Sequence, residues 1–245
     1  MTIHDNLPRP SCPRCHSSQI LKNGSTHHKK QKYLCKQCRY QFIAQANKKV
    51  ITATEKELIK SLLLERISLA GIARTLNLSP TWLQIFVNRF LRQIPCYIVN
   101  TDIPEGEIIL ECDEMWSFVK HKQNKEWIWL AIFKETRQVV GLYIGDRSRE
   151  SARKLWASIP ENFRQCHIVY TDELKSYCGA IPLEKHQATS KGSGKTNHIE
   201  RLNNTIRQRC SRLVRKGLSF SKSWFNHEGA IWYFIHHYNA SLQKT

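Results

Sequence analysis

The sequence of residues 107–119 is Glu107-Ile-Ile-Leu-Glu-Cys-Asp113-Glu-Met-Trp-Ser-Phe-Val119. Its β-branched and aromatic residues are typical of a strand, and Asp113 lies in its middle. Similar stretches follow along the chain, with one helical pattern between them. Strands are predicted at 107–119, 126–133, 138–144 and 166–171, and a helix at 148–158. This βββαβ order predicts an α/β domain with a mixed sheet.

Three carboxylates lie in or next to these predicted elements. Asp113 lies within the first strand, Asp172 directly follows the fourth, and Glu200 lies near the start of a helical pattern at 196–216. If the first and fourth strands are neighbours, these acids can meet at one edge of the sheet. Carboxylate oxygens suit Mg²⁺, and two such ions can be held about 4 Å apart. The sequence therefore predicts a catalytic site of Asp113, Asp172 and Glu200 that binds two Mg²⁺ or Mn²⁺ ions.

Each of these acids also has a simpler interpretation. Glu200, taken alone, is a first-turn acid that the helix dipole favours. Its neighbours three and four residues away include no cation and are Thr196, Asn197, Asn203 and Asn204. Asp113 could be an edge residue of its strand, and Asp172 could cap a helix at about 174–177. The alternative ligands beside these two acids are Glu111, Glu114 and Glu173.

Basic residues concentrate toward both ends of the chain, whose net charge is +18. Residues 1–50 hold ten basic and one acidic side chain, and residues 187–245 hold ten and two. Residues 101–186 hold twelve basic and fourteen acidic side chains. Two basic flanks around an acidic centre favour a polyanion, because Lys and Arg make most contacts to DNA phosphates. Double-stranded DNA is the expected partner, and an anionic lipid surface is the weaker alternative.

Four of the nine cysteines form two pairs. Cys12-Pro-Arg-Cys15 and Cys35-Lys-Gln-Cys38 are separated by 19 residues, a spacing that lets two tight turns present four thiolates to Zn²⁺. Two disulfides are the alternative, which a cytosolic location disfavours. The pattern predicts a zinc ribbon with a structural Zn²⁺ ion. The remaining cysteines have no ligand spacing and are expected to be buried: Cys96, Cys112, Cys166, Cys178 and Cys210.

Three helices are predicted between residues 51 and about 94, at 54–65, 69–76 and 80–90. Ala73 permits a close helix crossing, Asn77 can end the second helix in the left-handed conformation, and Ser79-Pro80 begins the third. This pattern is typical of a DNA-binding helix-turn-helix, with an ordinary three-helix bundle as the alternative. Leu83 and Phe86 are then expected to face the core. The side chains expected to contact DNA are Thr81, Gln84, Asn88 and Arg89.

Three longer stretches resemble a known family. They are Asp113-Glu-Met-Trp-Ser-Phe-Val119, Tyr170-Thr-Asp-Glu-Leu-Lys-Ser-Tyr177, and residues 199–223, which begin Ile199-Glu-Arg-Leu-Asn-Asn-Thr-Ile. These stretches are similar to the transposases of the insertion sequence one family, and the N-terminal ribbon and helix-turn-helix fit as well. The resemblance implies a ribonuclease-H-like domain with Asp113, Asp172 and Glu200 as its DDE acids. Arg207 matches the basic residue commonly found two helical turns beyond the last acid.

The resemblance also implies a function. A transposase of this kind binds the terminal inverted repeats of its element and catalyses DNA cleavage and strand transfer by two-metal phosphoryl transfer. The acids are then metal ligands and not nucleophiles, and paired-end chemistry implies a homodimer or a larger homo-oligomer. The alternatives are a DNA-binding regulator without catalysis and a metal-dependent nuclease without strand transfer. Some family members join two reading frames by frameshifting, but this sequence is one chain, so that regulation is not inferred.

Further basic side chains are expected to contact DNA. Outside the helix-turn-helix they are Lys191, Lys195, Arg207 and Arg212. Ser193-Gly-Lys-Thr196 resembles the end of a Walker A loop, but Thr189 stands where that loop requires glycine, so nucleotide binding is not expected. Residues 221–238 have apolar side chains at helical spacing and predict a packing helix.

Three domains and a cytoplasmic location are predicted. The domains are a zinc ribbon in residues 1–50, an all-α helix-turn-helix domain in 51–97, and a ribonuclease-H-like α/β domain with C-terminal helices in 104–245. No apolar run approaches the roughly 18 residues of a membrane span. Residues 1–10 lack the apolar core of a signal peptide. No contact with a membrane is expected.

Overall fold

The structure is a computed structural model, and it describes residues 10–27, 29–43, 50–98, 106–190, 192–213 and 219–242. The chain divides into two compact units, residues 1–52 and 53–245. The boundary predicted between residues 97 and 104 falls mainly on positions outside the described ranges. The division into three domains therefore stays a prediction.

The first unit contains a three-stranded antiparallel sheet. Its strands, in spatial order, are β1 (Ile20–Ser25), β2 (Gln31–Cys35) and β3 (Gln41–Ile43). Tyr33 and Phe42 stack across β2 and β3, with their ring centroids 5.8 Å apart. The buried residues of the small core are Cys12, Ile20 and Cys35. A core of this size needs an additional crosslink to be stable, and the cysteine pairs are placed to supply one.

Three helices open the second unit, as the sequence predicts. They are α1 (Ala53–Leu62), α2 (Leu69–Thr75) and α3 (Pro80–Leu91). The turn before α3 also follows the prediction: Asn77 has a φ of 49°, and the Ser79 side chain accepts a hydrogen bond from the Trp82 amide at 3.4 Å. Asn77 takes the left-handed conformation that ends α2, and Ser79 provides an acceptor for a free amide in the first turn of α3.

The inward row of α3 differs in one position from the prediction. Leu83, Val87 and Leu91 are buried, because the row follows four-residue steps from Leu83. Phe86 was expected in the core, and this is wrong. Its ring is half-buried and stacks on Trp82 at a centroid distance of 5.2 Å.

The second unit also contains a five-stranded mixed sheet with the order β6–β5–β4–β7–β8. The strands are β4 (Ile109–Phe118), β5 (Lys125–Phe133), β6 (Val139–Gly145), β7 (Ile168–Thr171) and β8 (His186–Ala188). β4 pairs antiparallel with β5 and parallel with β7. The four predicted strands are confirmed, and the first and fourth are neighbours. β8 has no alternating apolar pattern that would predict it, since it is a short polar strand at the sheet edge.

Helices cover both faces of this sheet. The helical segments after β6 are α4 (Arg149–Ser158), α5 (Glu161–Arg164), a 3₁₀ turn (Lys175–Tyr177), α6 (Asn197–Arg209), a 3₁₀ turn (Ser211–Leu213) and α7 (Trp224–Leu242). Alternate residues of β4 face opposite layers. Cys112 packs in the cluster that contains Leu155 of α4. Met115 packs in the cluster that contains Ile199 of α6 and Ile231 of α7.

The helix that carries Glu200 is shorter than predicted. α6 ends at Arg209, and Cys210 is extended and buried, so the prediction of a helix to residue 216 is wrong. The end of α6 docks on the loop after α1: the Arg66 amide donates to the Arg209 carbonyl at 2.8 Å, and Arg209 Nη2 lies 2.8 Å from Glu65 Oε1. These contacts, together with burial of Cys210, stop the helix.

α3 packs closely against α7. A Cβ added at Gly229 of α7 would lie 2.3 Å from the carbonyl oxygen of Leu91, so glycine is required at this crossing. Phe90 meets Tyr233 edge to face at a centroid distance of 4.8 Å. His236 Nε2 also donates to the carbonyl oxygen of Pro95 at 2.8 Å. The three N-terminal helices of this unit and its sheet domain therefore share one packed interface.

Two smaller findings concern the cysteines and membranes. Cys112, Cys166 and Cys210 are buried as predicted, whereas Cys96 and Cys178 are exposed, which corrects that prediction. Both exposed thiols lie in connecting segments. Within the described ranges, no helix combines the length and the apolar character needed to cross a membrane.

Candidate functional site

Three carboxylates meet at the edge of the sheet between β4 and β7. Asp113 and Glu114 lie on β4, and Asp172 directly follows β7; one oxygen from each lies within 4.8 Å of the others. The parallel pairing of β4 and β7 covers Ile109–Glu111 and stops there. β4 therefore continues past the end of its neighbour, and its next acids face the residue that follows β7. This pairing brings together two of the three acids predicted from the sequence.

Asp113 is held from two sides. Its Oδ2 accepts a hydrogen bond from Asn203 Nδ2 of α6 at 2.7 Å, and its Oδ1 accepts one from the Glu114 amide at 2.9 Å. Burial raises the pKa of Asp113 to about 7, and the nearby charges of Glu114 and Asp172 act in the same direction. A cation between these carboxylates would offset the repulsion that adds to this rise.

Glu114 points to the opposite face of the sheet. Arg147 donates to its Oε1 through Nε at 3.0 Å and through Nη2 at 2.6 Å, and the Tyr177 hydroxyl donates to Oε2 at 3.2 Å. Burial raises the pKa of Glu114, and the bonds from Arg147 oppose that rise. The sequence left Glu114 open as an alternative ligand, and the structure places it in the acidic group.

Asp172 keeps part of its carboxylate free of protein donors. Its Oδ1 accepts a hydrogen bond from the Leu174 amide at 3.0 Å, which is the capping interaction considered from the sequence. Within the described part of the chain, its second oxygen has no hydrogen-bond donor. Capping and metal binding are therefore compatible at this residue.

Glu200 is not part of this acidic group. Its side chain is exposed, and its Oε1 accepts a hydrogen bond from the Thr196 hydroxyl at 3.0 Å. Glu200 lies three residues before Asn203, which contacts Asp113. Side chains three residues apart share one side of a helix, with about 5–6 Å between their Cβ atoms. The role of Glu200 as a metal ligand stays a prediction.

The start of α6 is fixed by a buried carboxylate on β4. Glu111 is fully buried. Its Oε2 accepts from the amides of His198 and Ile199, both at 3.0 Å, and its Oε1 lies 2.8 Å from His198 Nδ1. The first amides of a helix have no partner within the helix and carry a partial positive charge. Glu111 thus positions α6, and with it Asn203 and Glu200, against the strand that carries Asp113.

The acidic group has the donor chemistry of a divalent metal site. Three carboxylates offer hard oxygen ligands, and cations such as Mg²⁺ and Mn²⁺ prefer these. Two of the three are withdrawn from water and have raised pKa values because of that burial. Asp113, Asp172 and Glu114 could therefore hold a divalent ion.

The four predicted zinc ligands of the first unit converge. Cys12 Sγ lies 3.6 Å from Cys38 Sγ, and Cys15 Sγ lies 3.5 Å from Cys35 Sγ. A tetrahedral site with Zn–S bonds of about 2.3 Å has sulfur atoms about 3.8 Å apart, so this spacing fits one Zn²⁺ ion. All nine cysteines lie in described ranges and are free thiols, which is contrary to the disulfide alternative.

Each cysteine pair sits on the same type of turn. The residue after each second cysteine, His16 or Arg39, has a φ of 59°. Its amide donates to the carbonyl of the first cysteine of the pair, at 2.9 Å and 3.0 Å respectively. A backbone hydrogen bond at Cys38 lowers the pKa of Cys35 to about 6, which favours the thiolate that zinc requires. The cluster could therefore hold zinc.

The predicted DNA-contact residues of α3 fall into two groups. Thr81 and Arg89 are exposed. Gln84 Nε2 donates to Asn88 Oδ1 at 2.7 Å, and Asn226 Nδ2 of α7 donates to the same oxygen at 2.8 Å. Asn88 is therefore half-buried between α3 and α7. Its predicted contact with DNA stays a prediction.

The other predicted basic contacts lie on different elements. Lys195 Nζ stands 4.8 Å from the ring centroid of Tyr170, next to the end of β7. Arg207 is half-buried on α6, and Arg212 lies in the 3₁₀ turn that follows it. Lys191 lies outside the described residues. These roles also stay predictions.

A protein-family model settles the affiliation of the chain. The model of the IS1 transposase matches residues 107–239, which is more than half of the chain. The chain belongs to the IS1 transposase family. The matched segment contains the whole acidic group, α6 and most of α7, whereas the cysteine cluster and α1–α3 precede it.

The relatives of this transposase family member include proteins of two Shigella species. The insertion element iso-IS1n protein InsB of Shigella dysenteriae is 38% identical over 129 residues, which cover 52% of this chain and 94% of that protein. The insertion element IS1 protein InsB of Shigella flexneri is 31% identical over 128 residues, which cover 52% and 94%. A chain in the cryoEM structure of the simian T-cell lymphotropic virus intasome with PP2A regulatory subunit B56 gamma aligns at 10% identity and a TM-score of 0.32, covering 61% of this chain and 57% of its own. That structural likeness is too low to carry an argument.

The sequence reasoning did not find the roles of several residues that shape the site in this IS1 family member. Asn203 holds Asp113, Glu111 holds α6, and Arg147 holds Glu114. One signal could have found Glu111: it shares the two-residue period of β4 with Asp113, so both must face the same helical layer. Asn203 lies three residues after Glu200, which could have marked it as a neighbour of the site. Arg147, in a loop after β6, has no such signal.

Proposed function

We propose that this protein is a DDE transposase. It binds the terminal inverted repeats of its insertion sequence and catalyses DNA cleavage and strand transfer by metal-dependent phosphoryl transfer. Residues 104–245 form the ribonuclease-H-like catalytic domain, residues 51–97 a helix-turn-helix domain and residues 1–50 a zinc ribbon. Membership of the IS1 transposase family supports this assignment, as does the sheet order β6–β5–β4–β7–β8.

One observation carries the proposal. The parallel neighbours β4 and β7 bring Asp113 and Asp172, 59 positions apart in the sequence, into one group of carboxylates. Burying like charges together is unfavourable unless a cation or a proton shares the site. A structural role would not require this arrangement, whereas metal-assisted phosphoryl transfer does.

Asp113 and Asp172 would hold the catalytic Mg²⁺ or Mn²⁺ ions, with Glu200 or Glu114 as the third carboxylate. Bound there, the ions would supply charge stabilisation at the phosphate and acidify an attacking water or 3′-hydroxyl. The protein's own task is to position these ligands. Asn203 orients the carboxylate of Asp113, and Glu111 fixes the helix on which Asn203 and Glu200 lie.

Glu200 is proposed as the third ligand for a physical reason. Glu114 already accepts two hydrogen bonds from Arg147 and one from Tyr177, so its charge is largely compensated. Glu200 is exposed and bonded only to Thr196 within the described residues. A change of its side-chain rotamer costs little on an exposed helix, and it lies on the same side of α6 as Asn203.

The basic segments supply the DNA-binding surface. Thr81, Gln84, Asn88 and Arg89 of α3 are proposed to contact the element end, with Lys191, Lys195, Arg207 and Arg212 along the catalytic domain. The net charge of +18 supports a polyanionic partner. The four cysteines bind one structural Zn²⁺ ion. Two element ends must be processed together, so a homodimer or a larger homo-oligomer is the expected assembly, at work in the bacterial cytoplasm where the DNA lies.

The test uses the purified full-length chain and a DNA duplex that ends in the terminal inverted repeat of the element. Cleavage at the repeat end and joining to a second duplex are measured with Mg²⁺, with Mn²⁺ and with EDTA. The variants Asp113→Asn, Asp172→Asn and Glu200→Gln should each reduce cleavage by at least about 100-fold, the scale of losing a group that acts only in the transition state. Glu150→Gln, an exposed acid on α4, is the matched control and should leave cleavage unchanged.

The possible results separate the competing functions. Full activity in a folded Asp172→Asn variant would overturn the proposal. Cleavage without joining would show a nuclease, and DNA binding without metal-dependent cleavage would show a regulator. If Glu114→Gln abolishes cleavage while Glu200→Gln does not, the third ligand is Glu114.

A further inference from the structure

A groove runs between the N-terminal helices of the second unit and its C-terminal segment. One wall comes from α2 and α3, and the other from α7 and from residues 210–212, 219–220 and 222–223. Its volume of about 680 Å³ lies within the usual range of ligand sites. The described residues that line it include two cations, Arg212 and Lys222, and no acid. The groove is therefore electropositive.

Arg212 lies in this groove without a carboxylate partner. Within the described residues, its guanidinium has one hydrogen bond, from Nη1 to the Ser221 hydroxyl at 3.4 Å. Burial lowers the pKa of Arg212, which means that the protein withdraws the charge from water. A partly buried cation that lacks an opposite charge is costly. An anionic ligand in the groove would supply the missing charge.

The residues behind Arg212 provide support but no negative charge. The Ser221 hydroxyl lies 3.2 Å from His227 Nδ1, and the Ser117 hydroxyl lies 3.2 Å from His227 Nε2. Burial lowers the pKa of His227 to about 4, and Arg212 contributes to this, so the ring is neutral near pH 7. The chain of contacts fixes Arg212 to β4, the strand that carries Asp113.

The opposite wall of the groove offers side-chain amides. Gln84 and Asn88 of α3 line it and are hydrogen-bonded to each other, and Asn226 of α7, on the same wall as Arg212, donates to Asn88 Oδ1 across the groove. Amides and hydroxyls, together with Arg and Lys, are the groups that contact the phosphates and sugars of DNA.

We propose that this groove binds the phosphodiester backbone of a DNA strand, with Arg212 and Lys222 on its phosphates. The proposal rests on the proposed function, because it names where the same DNA substrate is held away from the acidic group. Ser117 lies three residues beyond Glu114 on β4, or about 10 Å at 3.3 Å per residue. The groove therefore holds a phosphate other than the one that reacts. Since its two walls belong to α3 and to the catalytic domain, one bound strand fixes both to the same DNA.

The test measures binding of a fluorescent DNA duplex to the full-length chain over a range of salt concentrations. Each lost phosphate contact should reduce the slope of log K against log salt by about 0.9. Lys222→Ala and Arg212→Gln should each reduce that slope, for the terminal repeat and for unrelated DNA alike. The matched controls are Lys154→Ala and Arg153→Gln, which replace exposed cations on α4 and should leave the slope unchanged. Lys222 is exposed, so its variant tests the groove even if Arg212→Gln fails to fold.

The possible results distinguish a failure of the groove proposal from a failure of the proposed function. If the wild-type chain binds and cleaves DNA and the folded Lys222→Ala variant keeps the wild-type salt slope, the groove proposal is overturned and the proposed function stands. If no duplex binds to the wild-type chain at all, both fail. Inorganic phosphate is the second probe: if it binds at the groove but DNA does not compete with it, the groove is a small-anion site and the proposal is overturned. Competition between phosphate and DNA that disappears in Arg212→Gln supports it.

Discussion

Replacing Glu111 by alanine is expected to loosen α6, the helix that carries Asn203 and Glu200. The Glu111 carboxylate is fully buried and accepts hydrogen bonds from the amides of His198 and Ile199 at 3.0 Å. It also lies 2.8 Å from His198 Nδ1. The substitution removes the partner of two helix-start amides, one of which belongs to a buried residue, Ile199.

The expected loss follows from these contacts. A hydrogen bond to a charged group contributes about 1.5–3 kcal/mol, and a buried donor left without a partner costs about 1–3 kcal/mol. Removing the carboxylate also removes the cost of burying its charge, which offsets several kcal/mol. The net loss in the free energy of unfolding is expected to be about 2–4 kcal/mol, at the upper end of ordinary single substitutions.

The assay is urea unfolding of the purified chain, followed by tryptophan fluorescence. Glu111→Gln keeps one acceptor oxygen and should lose roughly half as much stability as Glu111→Ala. Glu150→Ala is the matched control, because Glu150 is an exposed first-turn acid of α4 and should change stability by less than about 0.5 kcal/mol. Equal stability of the Glu111→Ala and Glu150→Ala variants would refute the conclusion that Glu111 anchors α6.

Three further predictions concern other parts of the chain. Gly229→Ala should destabilise the second unit by about 1–3 kcal/mol in the same assay, because the new Cβ would lie 2.3 Å from the Leu91 carbonyl; an unchanged midpoint would contradict the close packing of α3 on α7. Asp113 has a pKa of about 7 in the folded protein, against an ordinary value of 3.8. Without metal, the native state therefore binds more protons than the unfolded state between these pH values. The free energy of unfolding should fall as pH rises from about 4 to 7, by at most about 1.4 kcal/mol per pH unit. Asp113→Asn should flatten that slope, and a slope equal to that of the wild type would contradict the assignment. Cys38→Ser should abolish the binding of one Zn²⁺ per chain, measured by atomic emission, and should unfold residues 10–43; retention of zinc at full stoichiometry would show that the ion lies elsewhere.

The strands and their neighbours could be predicted because they depend on local patterns. Apolar periodicity located β4 to β7 and the three N-terminal helices, and the expectation that the first and fourth strands are neighbours brought Asp113 to Asp172. The end of α6 could not be predicted in this way. Residues 210–213 have helical composition, but burial of Cys210 and the docking of Arg209 on Glu65 break the helix. Tertiary contacts between distant segments overrode the local preference.

Polar side chains on both faces of β4 link the candidate site to the rest of the fold. Glu111, Asp113 and Ser117 lie on one face and contact His198, Asn203 and His227 respectively. Glu114 lies on the other face and contacts Arg147 and Tyr177. A strand with one apolar and one polar face would hold a single layer of helices, whereas this one is fixed by polar contacts to both. Because α6 is held by Glu111 at its start and by residues 64–66 at its end, the position of Asn203, and with it the hydrogen bond to Asp113, depends on both β4 and the loop after α1.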